Sequence, residues 1–254
     1  MTKEPLPPGQ QLAAEHKWPK VGDRTPEKIP EPWTVTVAGC VQTERVWTLD
    51  QIHSLPQVTR KIDIHCVTRW SKLGMPFSGV ALSALLQRAG PTGEARFVSF
   101  VAIGEKQHST SLPLSDALAL DSLIALQHDG APLALEHGGP VRLVVPGRYF
   151  YKSLKWLSRI ELLSQDRLGF WEESAGYHNV ADPWSAQRFV AAKVDRELVA
   201  ELLASRDLSG QSLTGIDLRG YDLQDLQARR AILRDARFAN CQLQRACFEE
   251  AGLA

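Results

Sequence analysis

No stretch of the 254-residue sequence approaches the roughly 18 consecutive apolar residues of a transmembrane helix, so no membrane span is expected. An excess of charge is also missing, because 29 Lys and Arg balance 29 Asp and Glu. Broad nucleic-acid binding needs a basic face, and this balance argues against that class. The N-terminal residues contain neither the apolar segment of a secretory signal nor a twin-arginine motif, so a cytoplasmic protein is expected.

Cysteine is scarce, and none of the four cysteines forms a C-x-x-C pair. This spacing does not predict a structural zinc site, and a disulfide framework is not expected in a reducing compartment. The HExxH, P-loop, GxGxxG and GxSxG motifs are also missing, so the common hydrolase and nucleotide-binding classes have little support. A composition of 44% hydrophobic and 23% charged residues is that of an ordinary globular protein.

Proline is concentrated at the N-terminus, where residues 1–32 hold seven of the fifteen prolines. Because proline fixes φ and lacks an amide donor, this segment is predicted to be an extended arm. Two interpretations remain open. The arm is either a disordered tail or a strap laid over the domain, for which Leu12 and Trp18 supply apolar side chains.

Residues 33–194 alternate short apolar strands with short helices, which predicts a mixed α+β domain. Strands are predicted over 33–37, 58–66, 95–103, 141–145 and 159–163. Helices are predicted over 49–55, with Thr48 as the N-cap, within 77–90, and over 115–120. In the second helix, Ser78 is the expected N-cap and Gly90 the expected residue after the C-cap.

Residues 206–254 follow a five-residue period. Large apolar side chains mark it at Leu208, Leu213, Leu218, Leu223, Leu233, Phe238, Leu243, Phe248 and Leu253. This period fits neither the α-helix nor the β-strand, and a fixed repeat indicates stacked units. The segment resembles the pentapeptide repeat family, which implies a short right-handed quadrilateral β-helix. An amphipathic helix is the alternative, although its apolar positions would drift around the helix.

The segment DIHCVTRWSK, residues 63–72, carries the main candidate for chemistry. Cys66 ends a predicted strand and is followed by Arg69 and Lys72. Nearby positive charge lowers the pKa of a thiol and favours the thiolate, which binds soft metals or attacks electrophiles. A lone cysteine at a strand end is also compatible with a small buried hydrophobic residue. A third alternative is a thiol enzyme that pairs Cys66 with His65 or His108.

A second cluster lies between residues 137 and 155, where four basic residues come close together in sequence. They are Arg142, Arg148, Lys152 and Lys155. Gly138 and Gly139 permit a close approach of the backbone. The hydroxyl of Ser153 and the ammonium groups on either side of it suit a phosphate held by charge-assisted hydrogen bonds. The alternative is a solvated basic surface.

Four segments in order, DIHCVTRWSK, GGPVRLVVP, YxYKSLKWL and GFWEESAGYHNVADPW, resemble the sulfite oxidase-type molybdopterin oxidoreductases. The resemblance runs from about Trp33 to Arg188 and implies a molybdopterin-binding domain over 33–194. It implies molybdenum and molybdopterin, a pyranopterin dithiolene, as cofactors, with Cys66 as the one protein thiolate on the metal. It also implies two-electron oxygen-atom transfer on a small oxyanion, S-oxide or N-oxide.

The resemblance further assigns roles by motif position. The pterin phosphate would be held by Arg142 and by the segment Lys152, Ser153, Leu154 and Lys155. His137 would contact the pterin, and His65 would contact the pterin or tune the metal site. Cys66 and Arg69 are the candidate catalytic residues, since Arg69, together with Lys72, would attract an oxyanion substrate. Tyr177, His178 and Asn179 would either edge the site or only pack.

Partners follow from the same comparison. The sequence carries no haem-domain signature, so electrons are expected to pass to an external carrier. The repeat tail would form a homodimer or cap the edge of the domain. A competing hypothesis is a non-catalytic binding or assembly protein that uses the same fold and the repeat tail for partner contacts.

Overall fold

The computed structural model describes residues 5–14, 18–22, 24–104, 106–190 and 196–253. The chain divides into two compact units, Met1–Gln187 and Arg188–Ala254. Within these ranges the first unit contains two β-sheets with four short α-helices, and the second contains one α-helix followed by the repeat segment. Among the helices in the described ranges, none has the length and apolar character needed to cross a membrane.

The first unit is built from strands and short helices that alternate irregularly along the chain. In order they are β1 (Gln11–Leu12), β2 (Thr34–Gly39), β3 (Arg45–Thr48), α1 (Leu49–His53), β4 (Val58–His65), β5 (Trp70–Ala81), α2 (Leu82–Ala89), β6 (Phe97–Ala102), β7 (Ser109–Pro113), α3 (Leu114–Ala119), β8 (Leu123–His128), β9 (Ala131–Pro132), β10 (Arg142–Val144), β11 (Leu157–Leu163) and α4 (Phe170–Ala175). Single-turn 3-10 helices span Leu135–His137 and Phe150–Lys152.

The long strand β5 organises the first sheet. β4 pairs antiparallel along β5, β8 pairs with the last residues of β5, and β1 runs parallel beside its first residues. β9 and β10 both pair with β8. The second sheet has the order β3–β2–β11–β6–β7, in which only β2 and β11 are parallel to each other. The two sheets together confirm a mixed α+β fold.

The main hydrophobic core joins both sheets with α2. Val80 and Ile124 come from the first sheet, Val98 and Phe100 from the second, and Leu85 from α2, and all five are fully buried. Burying apolar side chains stabilises the fold by about 25 cal/mol per Å² removed from water. The two sheets are therefore held in place around one common core.

Most of the predicted elements are confirmed, each to within two residues at either end. The predicted strands correspond to β2, β4, β6, β10 and β11, and two of the predicted helices to α1 and α3. Thr48 caps α1 as expected, since its hydroxyl accepts a hydrogen bond from the Gln51 amide at 3.3 Å. The Gln51 side chain in turn accepts from the Thr48 amide at 2.9 Å, which completes a capping box.

The start of the second helix was predicted wrongly. Ser78 lies inside β5, and α2 begins at Leu82 with Ala81 at its N-cap. Residues 77–81 have helical apolar spacing, but they form ladder hydrogen bonds with β4 and β8, and these long-range pairings decide the conformation. The end of the helix is confirmed, because Gly90 has a φ of 68°.

The second unit begins with α5 (Arg196–Ser205) and continues with turns and isolated bridges over residues 206–253. Parallel bridges join residues twenty positions apart, such as Asp207 with Gln227 and Asp217 with Arg237. The amphipathic-helix alternative is therefore wrong for this segment. A left-handed residue recurs at five-residue intervals, at Gly210, Gly215, Gly220, Asp225, Arg230, Asp235, Asn240, Arg245 and Glu250.

The apolar position of each repeat forms the core of the second unit. Leu208, Leu213, Leu218, Leu223 and Leu233 are at most 2% exposed. Val199, Leu202 and Leu203 of α5 pack against this core. The later members of the series are less covered, since Leu243 and Leu253 are 39% and 47% exposed.

Candidate active site

Cys66 lies on the tight turn that joins β4 to β5. Its amide donates to the Trp70 carbonyl at 2.8 Å, and its carbonyl accepts from the Arg69 amide at 3.0 Å. The turn ends in the left-handed region, with a φ of 70° at Arg69, which is typical of three-residue hairpin loops. The thiol is buried, and its Sγ lies 3.1 Å from the Thr68 hydroxyl.

A cleft brings Cys66 together with part of the second sequence cluster. His137, Arg142, Ser153, Leu154 and Lys155 line it together with Cys66. Its empty volume, including the part open to solvent, is about 880 Å³. Ligand sites of proteins are typically concave, with mostly apolar walls and a few convergent polar groups, and the lining of this cleft has that character.

Arg142, on β10, places a buried cation on the wall of this cleft. Its Nη1 donates to the His137 carbonyl at 2.5 Å, and its Nη2 donates to the Ser153 carbonyl at 2.7 Å. Among the described residues no carboxylate pairs with it, and burial alone lowers its pKa to about 9. A buried guanidinium without a carboxylate partner is suited to bind an anionic group of a ligand.

His137 and Lys155 flank the same cleft through a close backbone contact. Burial, opposed by Glu136, lowers the pKa of His137 to about 4, so its imidazole is neutral near pH 7. The Lys155 ammonium donates to the Glu136 carbonyl at 3.1 Å. Gly138 has a φ of 100°, and a Cβ there would lie 2.9 Å from the Lys155 Cα. Glycine is therefore required for this approach, as its flexibility suggested.

Lys152 does not line the cleft, although the residues that follow it in the sequence, Ser153 to Lys155, do. Its buried ammonium lies 2.5 Å from Glu172 Oε1, and 2.9 Å from both the Ser111 carbonyl and Asn179 Oδ1. Burial lowers the pKa of Lys152, and the Glu172 carboxylate opposes that shift. An ammonium has three donors, and these three acceptors use all of them, which differs from the predicted role in phosphate binding.

The two cations that follow Cys66 also lie outside the cleft lining. Arg69 is exposed and Lys72 is half-buried. The structure therefore does not place Arg69 where it would attract an oxyanion into the cleft. Its catalytic role and the accessory role of Lys72 remain predictions from the sequence.

The three candidate residues of the late motif, 177–179, also differ in whether they line the cleft. Tyr177 lines the cleft, whereas His178 and Asn179 do not. The Asn179 amide donates to Asp166 at 2.6 Å, in addition to accepting from the buried lysine. The His178 carbonyl accepts from the Tyr151 hydroxyl at 2.5 Å. His178 therefore supports Tyr151, which lines the cleft, whereas Asn179 belongs to the hydrogen-bond network of Lys152.

The two histidines considered as bases for a thiol enzyme have different surroundings. His65 Nδ1 lies 2.8 Å from the Ser71 hydroxyl, and burial, opposed by Asp63, lowers the pKa of this histidine. His108 lines the cleft, with its ring centroid 3.9 Å from that of Phe170. Both side chains are buried among neighbours that fix their positions.

Several residues of the site escaped the sequence analysis. Thr68 contacts the sulfur, Gln10 and Ser71 lie behind it, and Trp18 lines the cleft. Trp18 left a signal in the sequence, as an apolar side chain in an otherwise polar, proline-rich arm. Thr68 and Ser71 lie inside the DIHCVTRWSK segment, although the motif assigned them no role. Gln10 belongs to no motif, and it meets this segment only when distant parts of the chain fold together.

Comparison with known proteins identifies the family. A family model described as the oxidoreductase molybdopterin binding domain matches residues 22–171, which is more than half of the chain. The chain belongs to this family and is a molybdopterin-dependent oxidoreductase of the sulfite oxidase type, with molybdenum and molybdopterin as its cofactors. A second model, for pentapeptide repeats, matches eight copies over residues 212–250.

Individual relatives cover different shares of this chain. The uncharacterized oxidoreductase YuiH of Bacillus subtilis is 39% identical over 184 residues, which are 72% of this chain and 91% of that protein. The protein-methionine-sulfoxide reductase catalytic subunit MsrP of Ralstonia nicotianae is 28% identical over 172 residues, and the match covers 61% of this chain and 52% of that subunit. This chain thus spans about half the length of that relative.

A solved structure shares the fold. The sulfane dehydrogenase SoxCD from Paracoccus pantotrophus matches with a TM-score of 0.53 at 23% identity. The match covers 59% of this chain and 43% of that one. At this identity the likeness concerns the fold alone.

The residues present fit a molybdenum–pterin group. The soft sulfur of Cys66 lines the same cleft as the buried cation of Arg142, for which the described part of the chain supplies no carboxylate partner. Within the described residues no three His, Cys, Asp or Glu side chains converge on a common point. Thiolate suits a soft metal, and a metal held here by one protein ligand would take its others from the cofactor.

Proposed function

We propose that this protein performs two-electron oxygen-atom transfer on a small S-oxide, N-oxide or oxyanion, the chemistry that a bound molybdenum–pterin group supplies. The observation that carries the proposal is the cleft shared by the buried Cys66 thiol and the Arg142 guanidinium, which pairs with no carboxylate of the described residues. The methionine-sulfoxide reductase subunit among the relatives makes S-oxides the first substrates to test.

Cys66 would hold the metal through its thiolate. Two backbone hydrogen bonds fix the turn on which Cys66 lies, and the Thr68 hydroxyl lies within hydrogen-bond distance of the sulfur. Groups that hold a ligand in position limit its freedom and tune the metal it binds. The turn therefore would present one sulfur in one orientation.

Arg142 would hold the phosphate of the pterin, with help from Ser153 and Lys155. The Ser153 Oγ accepts from the Val145 amide at 2.9 Å, so its own proton remains available for donation to a phosphate oxygen. Leu154 would contribute an apolar contact, and neutral His137 would contact the pterin. His65 would tune the site from behind the cysteine.

A neutral substrate suits the cleft better than an oxyanion, because the lining cations Arg142 and Lys155 would be occupied by the pterin phosphate. The two cations nearest to Cys66 in the sequence, Arg69 and Lys72, do not line the cleft. The walls carry aromatic rings instead, including Trp70, Trp171 and Tyr177. Polarizable sulfur groups make favourable contacts with aromatic rings, so an organic S-oxide suits this lining.

An external electron carrier completes the proposal, because the methionine-sulfoxide reductase relative is named as a catalytic subunit.

We also propose that residues 206–254 form a quadrilateral β-helix, which the parallel bridges twenty residues apart support. The exposed Leu243 and Leu253 support a homodimer through this segment. The cytoplasmic location stays a prediction.

Metal analysis and substrate assays test the enzymatic proposal. Protein from a molybdenum-replete host should contain about one molybdenum and one pterin per chain, since the proposal places one soft ligand in one cleft. It should also turn over S-oxides faster than sulfite. Cys66→Ser should abolish turnover, whereas Cys247→Ser, in the repeat segment, should not. A metallated Cys66→Ser protein with wild-type turnover would contradict the ligand assignment.

Deletion of the residues after Val194 tests the role of the repeat segment. A homodimer that becomes an active monomer would support assembly through the repeats. Insoluble protein would favour the capping role instead. A folded full-length chain without molybdenum or pterin would favour the binding or assembly alternative over the enzyme.

A further inference from the structure

We propose that the N-terminal arm completes the active site, and that Gln10 is a positioning residue that holds the Cys66 turn. The inference rests on the proposed role of Cys66 as the metal ligand. The family match begins at residue 22, so Gln10 lies outside the segment that defines the family. The contacts of the arm alone carry the argument.

The backbone of the arm is attached directly beside the Cys66 turn. β1 runs parallel to the start of β5, and the amide of Gln11 donates to the Arg69 carbonyl at 3.1 Å. The amide of Ala13 donates to the Ser71 carbonyl at 2.9 Å. Arg69 is the last residue of the turn, so the arm constrains the turn at its exit.

The Gln10 side chain then reaches the cysteine itself. Gln10 is 8% exposed, and its Nε2 donates to the Cys66 carbonyl at 3.0 Å. The amide nitrogen must face this carbonyl, because two acceptor oxygens would repel each other. Oε1 is therefore left as an acceptor, and the Ser71 hydroxyl donates to it at 3.1 Å.

The remaining hydrogen bond of the network follows from the same count of protons. The Ser71 hydroxyl has one proton, which it donates to Gln10. Its contact with His65 Nδ1 at 2.8 Å therefore requires that Nδ1 carries the proton and donates to Ser71 Oγ. An unbroken chain of donors and acceptors runs from the His65 ring through Ser71 and Gln10 to the Cys66 carbonyl.

The residues of this hydrogen-bond network are buried, so the loss of one bond should affect the conformation of the turn. His65 and Ser71 are 3% and 0% exposed, so water does not readily replace a lost partner. The Cys66 carbonyl receives two hydrogen bonds, one from the turn itself and one from the arm. Loss of the Gln10 amide should release the turn and let the sulfur change position.

The thiol reactivity of the full-length chain, prepared without molybdenum, tests this inference. Gln10→Leu removes the hydrogen bonds at nearly constant size. Its Cys66 should react with iodoacetamide about tenfold faster than that of wild type, the factor expected for the loss of a buried hydrogen bond. The matched control is Gln11→Leu on the exposed neighbour, which should leave the rate unchanged. Mass spectrometry of the Cys66 peptide separates this thiol from the other three.

The metal-loaded protein supplies a second measurement. Gln10→Leu should alter the electron paramagnetic resonance signal of the bound molybdenum, whereas Gln11→Leu should not. A contribution of the arm to folding alone would leave the signal of the folded protein unchanged. Equal alkylation rates and equal signals in the Gln10 and Gln11 variants would overturn the inference.

Ser71→Ala provides an independent route if the Gln10 variant does not fold. It breaks the same chain and should raise the alkylation rate similarly. Both residues act through one hydrogen-bond network, so the alkylation rate of the double variant should not exceed that of either single variant. If the two effects on the rate multiplied, the residues would act independently, which would contradict the network. Failure of the proposed function can be distinguished from failure of the Gln10 inference. The first would appear as metal-dependent turnover in Cys66→Ser, whereas the second is measured by alkylation rates, which need no metal.

Discussion

The indole of Trp18 lies flat against the imidazole of His137, with ring centroids 3.9 Å apart and planes inclined by 5°. Trp18 belongs to the N-terminal arm, and its ring centroid is also 5.9 Å from the Arg142 Cζ. One aromatic residue of the arm thus contacts two residues that the sequence assigned to the cofactor. The described part of the arm lies over the domain, which is the second of the two interpretations left open by its composition.

Replacing His137 should weaken the dependence of stability on pH. Burial lowers the pKa of His137 from 6.5 to about 4, so the unfolded chain binds this proton first as the pH falls. Stability is therefore lost progressively between these two values. In the cofactor-free chain, the urea midpoint should fall less for His137→Gln than for wild type between about pH 7 and 4.

His53 provides the matched control for that measurement, because it is exposed at the end of α1. His53→Gln should show the same loss of stability with falling pH as the wild-type chain. An identical loss in His137→Gln would show that the stacked histidine does not contribute to the acid sensitivity.

The two arginines of the second cluster should differ in their effect on the cofactor. Arg142→Met removes the buried cation of the cleft wall and should lower the retained molybdenum and pterin by about tenfold, as expected for a charge-assisted contact. Arg148 lies outside the cleft lining and pairs with Asp116 at 3.6 Å, so Arg148→Met should retain both. Metal and pterin content after gel filtration measures the difference.

Arg142→Lys separates charge from geometry. A lysine keeps the positive charge but loses the planar fork that reaches two carbonyls, so partial retention of the cofactor is expected. If both arginine variants at residue 142 retained the pterin as well as wild type does, the phosphate assignment would be wrong.

Lys152 should matter for stability more than for the cofactor. Lys152→Met leaves the Glu172 carboxylate buried without its ammonium and should cost about 3–5 kcal/mol in the free energy of unfolding. The double variant Lys152→Met/Glu172→Leu should recover part of this loss. Lys155→Met, on the cleft wall, should lower pterin content with a smaller loss of stability.

Urea unfolding and pterin content, measured on the same preparations, distinguish the two lysines. An unchanged free energy of unfolding in Lys152→Met, combined with loss of pterin, would restore the role in phosphate binding predicted from the sequence. The observed contacts of the ammonium favour the opposite result.

Two leucines at the same repeat position should respond differently to truncation. Leu223 is 1% exposed and Leu243 is 39% exposed. Leu223→Ala should destabilise the repeat unit by about 2–5 kcal/mol because it leaves a cavity. Leu243→Ala should stay within about 0.5 kcal/mol in the isolated chain. Hydrogen exchange of the amides over 206–253 measures both effects, and equal protection in the two variants would contradict the observed packing.

Local sequence patterns predicted the elements that local interactions control. The alternation over 33–37 predicted β2, and the Thr48 cap predicted the start of α1. The start of α2 was missed because residues 77–81 are held in β5 by pairing with β4 and β8. Helical spacing cannot compete with a ladder whose partners lie far away in the sequence.

The residues of the site also divide into those that local motifs predict and those whose position depends on distant contacts. Motifs located Cys66, His137 and Arg142, all of which line the cleft. Lys152 and Lys155 are three positions apart and chemically equivalent in the sequence, yet only Lys155 lines the cleft. The 3-10 turn over Phe150–Lys152 leads Lys152 to its buried carboxylate, and no local pattern reveals that partner.

Periodicity and motif order predicted a mixed α+β domain, a five-residue repeat and, through the family resemblance, Cys66 as the candidate metal ligand, because all three predictions rest on residues near one another in the sequence. Long-range packing alone determined which charges share the cleft, and that an amide of the arm hydrogen-bonds the carbonyl of Cys66, 56 positions away. Such contacts form only after two sheets close around a common core, because burial then removes the water that would otherwise satisfy each polar group.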